Sequence, residues 1–382
     1  IPYYNKLMLS LVESIPEGHM YPPNMTHLPT KNVWLDLIDE AQTQIEIASF
    51  YWSLRYNEEY PYNSSIEGEQ VFQALYAAGS KRNIDLKIAQ NWPSKQYPNV
   101  DTEYLVKKKA AQVRSLNFSK LLGNGILHTK FWIVDRKHFY IGSANMDWRA
   151  LTQKKKLHVF LELTIELNTD INMEHPVNIS DAQHSYGAFI TSSPPPLSPN
   201  GRTDDDNAIV SIIESAEEFV YISVMEYEPM CTFTHKFWPK IDDAIRKAAL
   251  ENKVKVKLLI SWWKHSAPSE DYFLRSLTDL SQAYPRVDLQ KRFVVPSTPE
   301  QDKIPYARVN HNKYMVTDRT AYIGTSNWSG DYFISTAGVA FVFQDQTTDG
   351  IFQNITRDIR KDLQEVFERD WNSPYAVPLR RL

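Results

Sequence analysis

Apolar residues recur every three or four positions at Trp34, Leu37, Ile38 and Ala41, a spacing that predicts a helix. The run 45–52, rich in β-branched and aromatic residues, predicts a strand directly after it. The same pair returns 175 positions on, as Ile209, Ile212, Ile213 and Ala216 followed by the run 220–227. A second helix–strand pair, 71–81 before 84–89, matches 241–251 before 254–259 at an offset of 170. The drifting offset marks loop insertions between equivalent elements. Two repeats are too few for a solenoid, which needs about three or more. The expected fold class is α/β: two βα lobes, each a mixed sheet flanked by helices, related by a pseudo-twofold. The stretch 192–201 (SSPPPLSPNG) has linker composition. It sets an N-terminal lobe at 1–191, a linker at 192–206 and a C-terminal lobe at 207–382. Asp204, Asp205 and Asp206 supply N-cap and helix-dipole chemistry for the helix that follows.

Composition narrows the class. At 42% hydrophobic and 23% charged the chain is globular, not disordered or collagen-like. The net charge of −4 means an anionic partner must be held by a local basic site rather than by the global field. Aromatics at 13% favour β-structure with aromatic-lined clefts. No apolar run approaches the ~20 residues of a membrane span. Cys231 stands alone, which excludes an internal disulfide and a cysteine-built zinc site. Asn-X-Ser/Thr sequons at Asn24, Asn63, Asn117, Asn178, Asn327 and Asn354 point instead to a secretory route with surface glycans. The sequence opens on Ile1, so the expectation is a processed product whose signal or membrane anchor lies upstream.

A third repeated block carries the chemistry. It reads His128-Thr129-Lys130 with Asp135, then Gly142-Ser143-Ala144-Asn145; and again His311-Asn312-Lys313 with Asp318, then Gly324-Thr325-Ser326-Asn327. At roughly one residue in twenty for each type, a single H-x-K-x4-D match is expected about 0.05 times in such a chain. In a strand, positions i and i+2 share a face, so His128 projects with Lys130 and His311 with Lys313. If the lobes pair, two His, two Lys and two Asn meet at one cleft between them. That set suits a phosphodiester. The lysines are point charges for non-bridging oxygens, and the asparagines donate further hydrogen bonds, with Ser143 and Thr325 beside them. One neutral histidine attacks phosphorus; the other, protonated, supplies the leaving oxygen and then activates water. No metal or cofactor is called for. A lone histidine in a strand is ordinarily a satisfied core or surface residue, which is the reading for His19, His27, His138, His175, His184 and His235; only duplication lifts His128 and His311 above it. Asn327 overlaps this block, so no glycan is expected there.

These residues resemble the duplicated motif of the phospholipase D superfamily. The runs 127–148 (LHTKFWIVDRKHFYIGSANMDW) and 304–329 (IPYARVNHNKYMVTDRTAYIGTSNWS) are similar to mammalian phospholipase D family members 3 and 4 and their poxvirus relatives, as are 11–18, 48–53, 194–203 and 367–371. The resemblance implies two phospholipase-D-type lobes with the active site at their interface. It also implies a 5′-to-3′ exonuclease on single-stranded DNA and RNA in the endolysosomal lumen, or a secreted form of it. Lipid transphosphatidylation is attributed to the same branch and stays open, as does a binding protein with a damaged site; a homodimer is a further alternative. The resemblance leans to His128 as nucleophile and His311 as acid, with Asp135 and Asp318 bracing strands or orienting the site. The chain departs from the family at 154–187, which is short, and at Lys156. There the family carries a Glu able to orient a histidine, whereas a lysine would repel an imidazolium. The run Lys154–Lys156 reads otherwise as a solvated face. For substrate contacts, Trp148, Trp262, Trp263, Trp328 and Tyr332 are candidates for stacking on unpaired bases. Arg149, Lys303 and Arg308 are candidates for tracking a phosphate backbone.

Overall fold

The computed structural model describes residues 9–55, 63–162, 168–180, 185–283, 290–346 and 358–379. The chain divides into two compact units. Unit 1 comprises Ile1–Glu166, Pro296–His311 and Ser335–Ala337; unit 2 comprises Leu167–Val295, Asn312–Ile334 and Gly338–Leu382.

Unit 1 runs β1 (Leu9–Ser14), α1 (Thr30–Glu40), β2 (Gln44–Ser49), α2 (Ile66–Lys81), β3 (Asp85–Asn91), β4 (Gln112–Leu116), β5 (Lys130–Val134), β6 (His138–Gly142) and β7 (Lys154–Glu162). Its sheet order is β1-β7-β6-β5-β2-β3-β4. The first four junctions are antiparallel and the last two parallel. The parallel strands alternate with helices, as crossover connections require. Trp34, Leu37 and Ile38 of α1 and Val71, Phe72 and Leu75 of α2 are buried against Ile45, Ile47 and Trp132 of the sheet. The two helical stripes read from the sequence are therefore the core faces.

Unit 2 runs β8 (Ser185–Ser193), α3 (Asp205–Ser215), β9 (Phe219–Val224), α4 (Lys240–Leu250), β10 (Lys255–Ser261), β11 (Gln290–Phe293), β12 (Lys313–Thr317), β13 (Thr320–Gly324), β14 (Gly338–Asp345) and α5 (Ile359–Trp371). Its sheet order is β8-β14-β13-β12-β9-β10-β11, again four antiparallel junctions followed by two parallel. The two units share one topology, and β2 to β9 and β3 to β10 keep the offsets of 175 and 170.

Two expectations change. The stretch 192–206 is not a linker between lobes. Strand β8, which precedes it, is the counterpart of β1, so the Pro-rich turn lies inside unit 2. Residues 203–204 pair with 191–192 of β8 as an added strand. Nor does the acidic run cap α3 with a side chain: Asp204 makes no cap hydrogen bond. Asp205 points inward, accepting from Thr191 Oγ1 at 2.6 Å and Tyr322 Oη at 2.9 Å.

Candidate functional site

Strand β5 begins with Lys130 and strand β12 with Lys313, so each motif lysine is presented by the first residue of a central strand. Both lysines are 1% exposed. Lys130 lies 5.9 Å from the Phe50 ring and donates to the carbonyl of His128. Lys313 lies 3.9 Å from Met225 Sδ. Phe50 and Met225 are repeat equivalents, each one residue past the end of its strand, β2 or β9. The same backbone design thus places both lysines. His128 is anchored by its N–H to Ala337 O at 3.0 Å, and His311 by its N–H to Lys155 O at 2.8 Å. His311 ends the segment Pro296–His311, so both motif histidines belong to unit 1, whereas Lys313 opens the neighbouring strand of unit 2.

The motif asparagines are 3% exposed, and the Oδ1 of each lacks a hydrogen-bond partner among the described residues. Asn327 Nδ2 donates to Glu226 Oε2 at 3.3 Å and Tyr332 Oη at 3.1 Å. Its donors are therefore committed, where the sequence reading had them free for substrate. Ser143 Oγ is buried and without a partner among the described residues, so it stays a candidate. Thr325 Oγ1 accepts from Val339 N at 3.0 Å and holds strand register instead.

Asp135 and Asp318 do not act on the motif residues; they brace the turns that launch β2 and β9. Asp135 accepts from the N–H groups of Gln42, Thr43 and Gln44 at 2.7–2.9 Å. Burial works to raise its pKa, but these bonds and that from Thr43 Oγ1 outweigh it and hold the carboxyl at about 2. Asp318 accepts from Glu217, Glu218 and Phe219 N–H at 3.1–3.4 Å.

Four substrate contacts read from sequence are structural. Trp148 packs with Ile304 and Ala307 and Trp328 lies in the unit 2 core, 5% and 1% exposed. A buried indole has no face left for a base. Arg308 donates to Pro296 O, Gln153 Oε1 and Glu17 O, because a guanidinium shut away from water must find acceptors. Arg149 is likewise spoken for, bound to Asp147 Oδ1 at 2.8 Å and Pro305 O at 2.8 Å.

The lysine run is not a solvated face. Lys154, Lys155 and Lys156 of β7 are 3%, 0% and 0% exposed. Lys154 reaches Asp147 Oδ2 at 3.2 Å, Lys155 reaches Glu13 Oε1 at 2.6 Å, and Lys156 donates to Ser143 O at 2.7 Å. Burial and then the Lys156 charge push His158 well below its ordinary pKa, so it is a neutral acceptor for the Ser143 N–H at 3.1 Å. Burial tends to raise Asp147, but Arg149 and Lys154 pull it far below the usual carboxylate range.

Two features escaped the sequence reading. One is an aromatic cluster at His128. The Phe50 ring lies 5.5 Å from the imidazole and 5.1 Å from half-buried Tyr97, which stacks on Tyr51 at 4.6 Å. The 175 offset pairs Phe50 with Met225 beside the second motif, and that signal would have found it. The other is Glu226. Burial raises its carboxyl to about 7, with Glu270 and Glu228 adding to the shift and Lys313 opposing it. No spacing in the sequence announces it.

Of the sequons, Asn24, Asn63 and Asn178 are exposed, and Asn354 lies outside the described residues. Asn117 caps the short helix Phe118–Leu122, its Oδ1 accepting from Lys120 N at 3.0 Å.

Comparison with known proteins places this geometry. A profile for the family described as "PLD3/4, PLD-like domain" matches residues 23–180 and 164–298. A 5'-3' exonuclease PLD3 of Xenopus laevis is 46% identical over 407 residues, spanning 97% of this chain and 81% of that protein. The Homo sapiens 5'-3' exonuclease PLD3 is 42% identical over 412 residues, spanning 99% and 82%. The Mus musculus 5'-3' exonuclease PLD4 is 39% identical over 418 residues, spanning 99% and 80%. Among solved structures, the phosphatidylserine synthase of Haemophilus influenzae has the same fold, with a TM-score of 0.62 at 10% identity over 91% of this chain and 84% of that one.

Proposed function

Since the chain belongs to the PLD3/4 family of phospholipase-D-like proteins, we propose that it is a phosphodiesterase that removes nucleotides from the 5′ end of single-stranded DNA or RNA. The observation that carries the reading is the aromatic cluster at His128. Partly exposed rings next to a motif histidine offer a stacking surface for an unpaired base, worth about 1–3 kcal/mol per base. A glycerol headgroup, as in phosphatidylglycerol, has no ring to stack there.

In this reading His128 attacks phosphorus. An N–P bond forms as a bridging P–O bond breaks, and His311 gives its proton to the departing oxygen. His311 then takes a proton from water, which attacks phosphorus and breaks the N–P bond. Lys130 and Lys313 neutralise the non-bridging oxygens. The test is a 5′-hydroxyl single-stranded oligonucleotide labelled at its 3′ end, incubated with the protein at pH 5 in EDTA. A ladder shortening from the 5′ end is expected. Turnover of phosphatidylglycerol vesicles without oligonucleotide cleavage would replace this reading with the lipid one.

An acidic lumenal location is part of the proposal. Exposed sequons at Asn24, Asn63 and Asn178 support it. So does the titration of unit 2. Burial raises Asp205 to about 6, against hydrogen bonds from Thr191 and Tyr322 that lower it. Burial likewise raises Glu226 to about 7, and Glu270 to about 7 against the pull of Arg292. A carboxyl raised in the folded state contributes stability that is complete below its ordinary pKa near 4 and is lost as pH rises through the folded value. Thermal denaturation is therefore expected to give its highest midpoint near pH 5, falling by several degrees by pH 7.5. A midpoint that climbs from pH 5 to 7.5 would contradict this.

A further inference from the structure

Glu226 sits two residues beyond β9, where unit 1 has Tyr51 two residues beyond β2. The counterparts differ in kind. Tyr51 Oη donates to Asp147 Oδ2 at 2.8 Å and stays a phenol, burial raising its pKa well above the ordinary value. Glu226 instead faces the motif asparagine itself. Its backbone is fixed by the Trp328 N–H to Glu226 O bond at 3.0 Å, so the carboxyl cannot drift from Asn327.

The amide of Asn327 has two faces, and in this geometry Nδ2 is turned to Glu226 Oε2 and Tyr332 Oη while Oδ1 is left without a partner. That arrangement suits an ionised carboxylate, which only accepts. A protonated carboxyl donates. A half-turn of the amide would then let Glu226 O–H and Tyr332 O–H both donate to Oδ1, leaving both Nδ2 hydrogens for a ligand oxygen.

We propose that Glu226 is a positioning residue for Asn327: protonated, it turns the amide donors toward a phosphate oxygen of the substrate, and ionised, it withdraws them. The inference rests on the reading of this chain as a phosphodiesterase that uses its second-motif asparagine. The groups around the carboxyl favour a proton that leaves near neutrality. Glu228 lies two residues on, in the short strand Tyr227–Glu228, accepting from Ser269 Oγ at 2.7 Å. Glu270 comes from the helix Pro268–Ala283 and is bound by Arg292 of β11 at 2.7 Å. Asp331 comes from the short helix Gly330–Ile334, where it accepts from Thr232 Oγ1 at 2.8 Å. Lys313 of β12 is the cation that opposes these three carboxylates.

Glu226→Gln is the discriminating variant, because a glutamine Nε2 donates to Asn327 Oδ1 at every pH. The ratio of kcat/KM at pH 8 to that at pH 5 is expected to rise about tenfold over wild type, an alkaline limb moved by about one pH unit. Glu226→Leu is expected to lower kcat/KM at pH 5 about tenfold and to flatten that limb. A Glu226→Gln profile that overlays wild type within twofold overturns the proposal. Infrared difference spectra need no turnover. A protonated-carboxyl band lost between pH 5 and 8 in wild type, absent in Glu226→Gln and shifted in Asn327→Ala, is expected. Its absence from wild type overturns the proposal even where activity is unaltered. Inactive wild type that nevertheless shows the band would count against the phosphodiesterase reading alone.

Discussion

Alanine at His128 or at His311 is expected to lower cleavage of the oligonucleotide by about 10⁴-fold, with the double variant no worse than either single one. The two side chains serve one reaction sequence, and residues that act as a unit are non-additive. The fold should survive. Each histidine contributes to structure through its backbone N–H, to Ala337 O and Lys155 O, and alanine keeps both bonds. Melting midpoints within a few degrees of wild type would make lost activity chemical rather than structural. The two roles separate on a phosphodiester with a good leaving group such as p-nitrophenol, which needs no acid. His311→Ala should recover p-nitrophenol release on it as a single-turnover burst, the water step still lacking its base, and His128→Ala should not. Recovery of His128→Ala alone would exchange the roles; activity of both variants near wild type would end the two-histidine mechanism.

The second large effect is on stability. Lys155→Ala removes the ammonium that Glu13, itself 0% exposed in its side chain, meets at 2.6 Å in the interior of the β1–β7 pair. Breaking a buried pair from one side costs about 3–5 kcal/mol, because the remaining charge stays away from water and has lost its counter-charge. For a chain of this size that is a midpoint about 4–6 °C lower. Replacing both residues, as Glu13→Leu with Lys155→Met, should recover most of the loss, since the charge is then removed rather than stranded. A double variant as unstable as Lys155→Ala would place the cost in packing instead.

Much of this architecture was legible in periodicity. The repeat offsets of 175 and 170 located the helix–strand pairs to within about five residues at their ends, because helical stripes and β-branched runs report burial directly. The duplicated motif identified the lysines and histidines that the strands present. What was misread has a common cause: composition does not say which partner a side chain will meet. Pro194–Pro196 looks the same in a linker as in a turn within one unit. Lys154–Lys156 reads as surface until Glu13 and Asp147, distant in sequence, are brought beside it. Trp148, Trp328 and Arg308 flank the motifs in sequence yet point into the core. Glu226 gave no signal, since its significance lies in the amide it faces.

The allocation of Pro296–His311 and Ser335–Ala337 to unit 1 has a consequence for how the protein is made. When the ribosome has finished Glu166, this unit still lacks the segment bearing His311 and the stretch whose Ala337 carbonyl receives the His128 N–H. Roughly 170 further residues must emerge first, on the order of 10–30 s at about 5–20 residues per second. The nascent chain is therefore without its second histidine throughout that interval. A chain released early, anywhere before Pro296, carries one motif and cannot complete the reaction sequence.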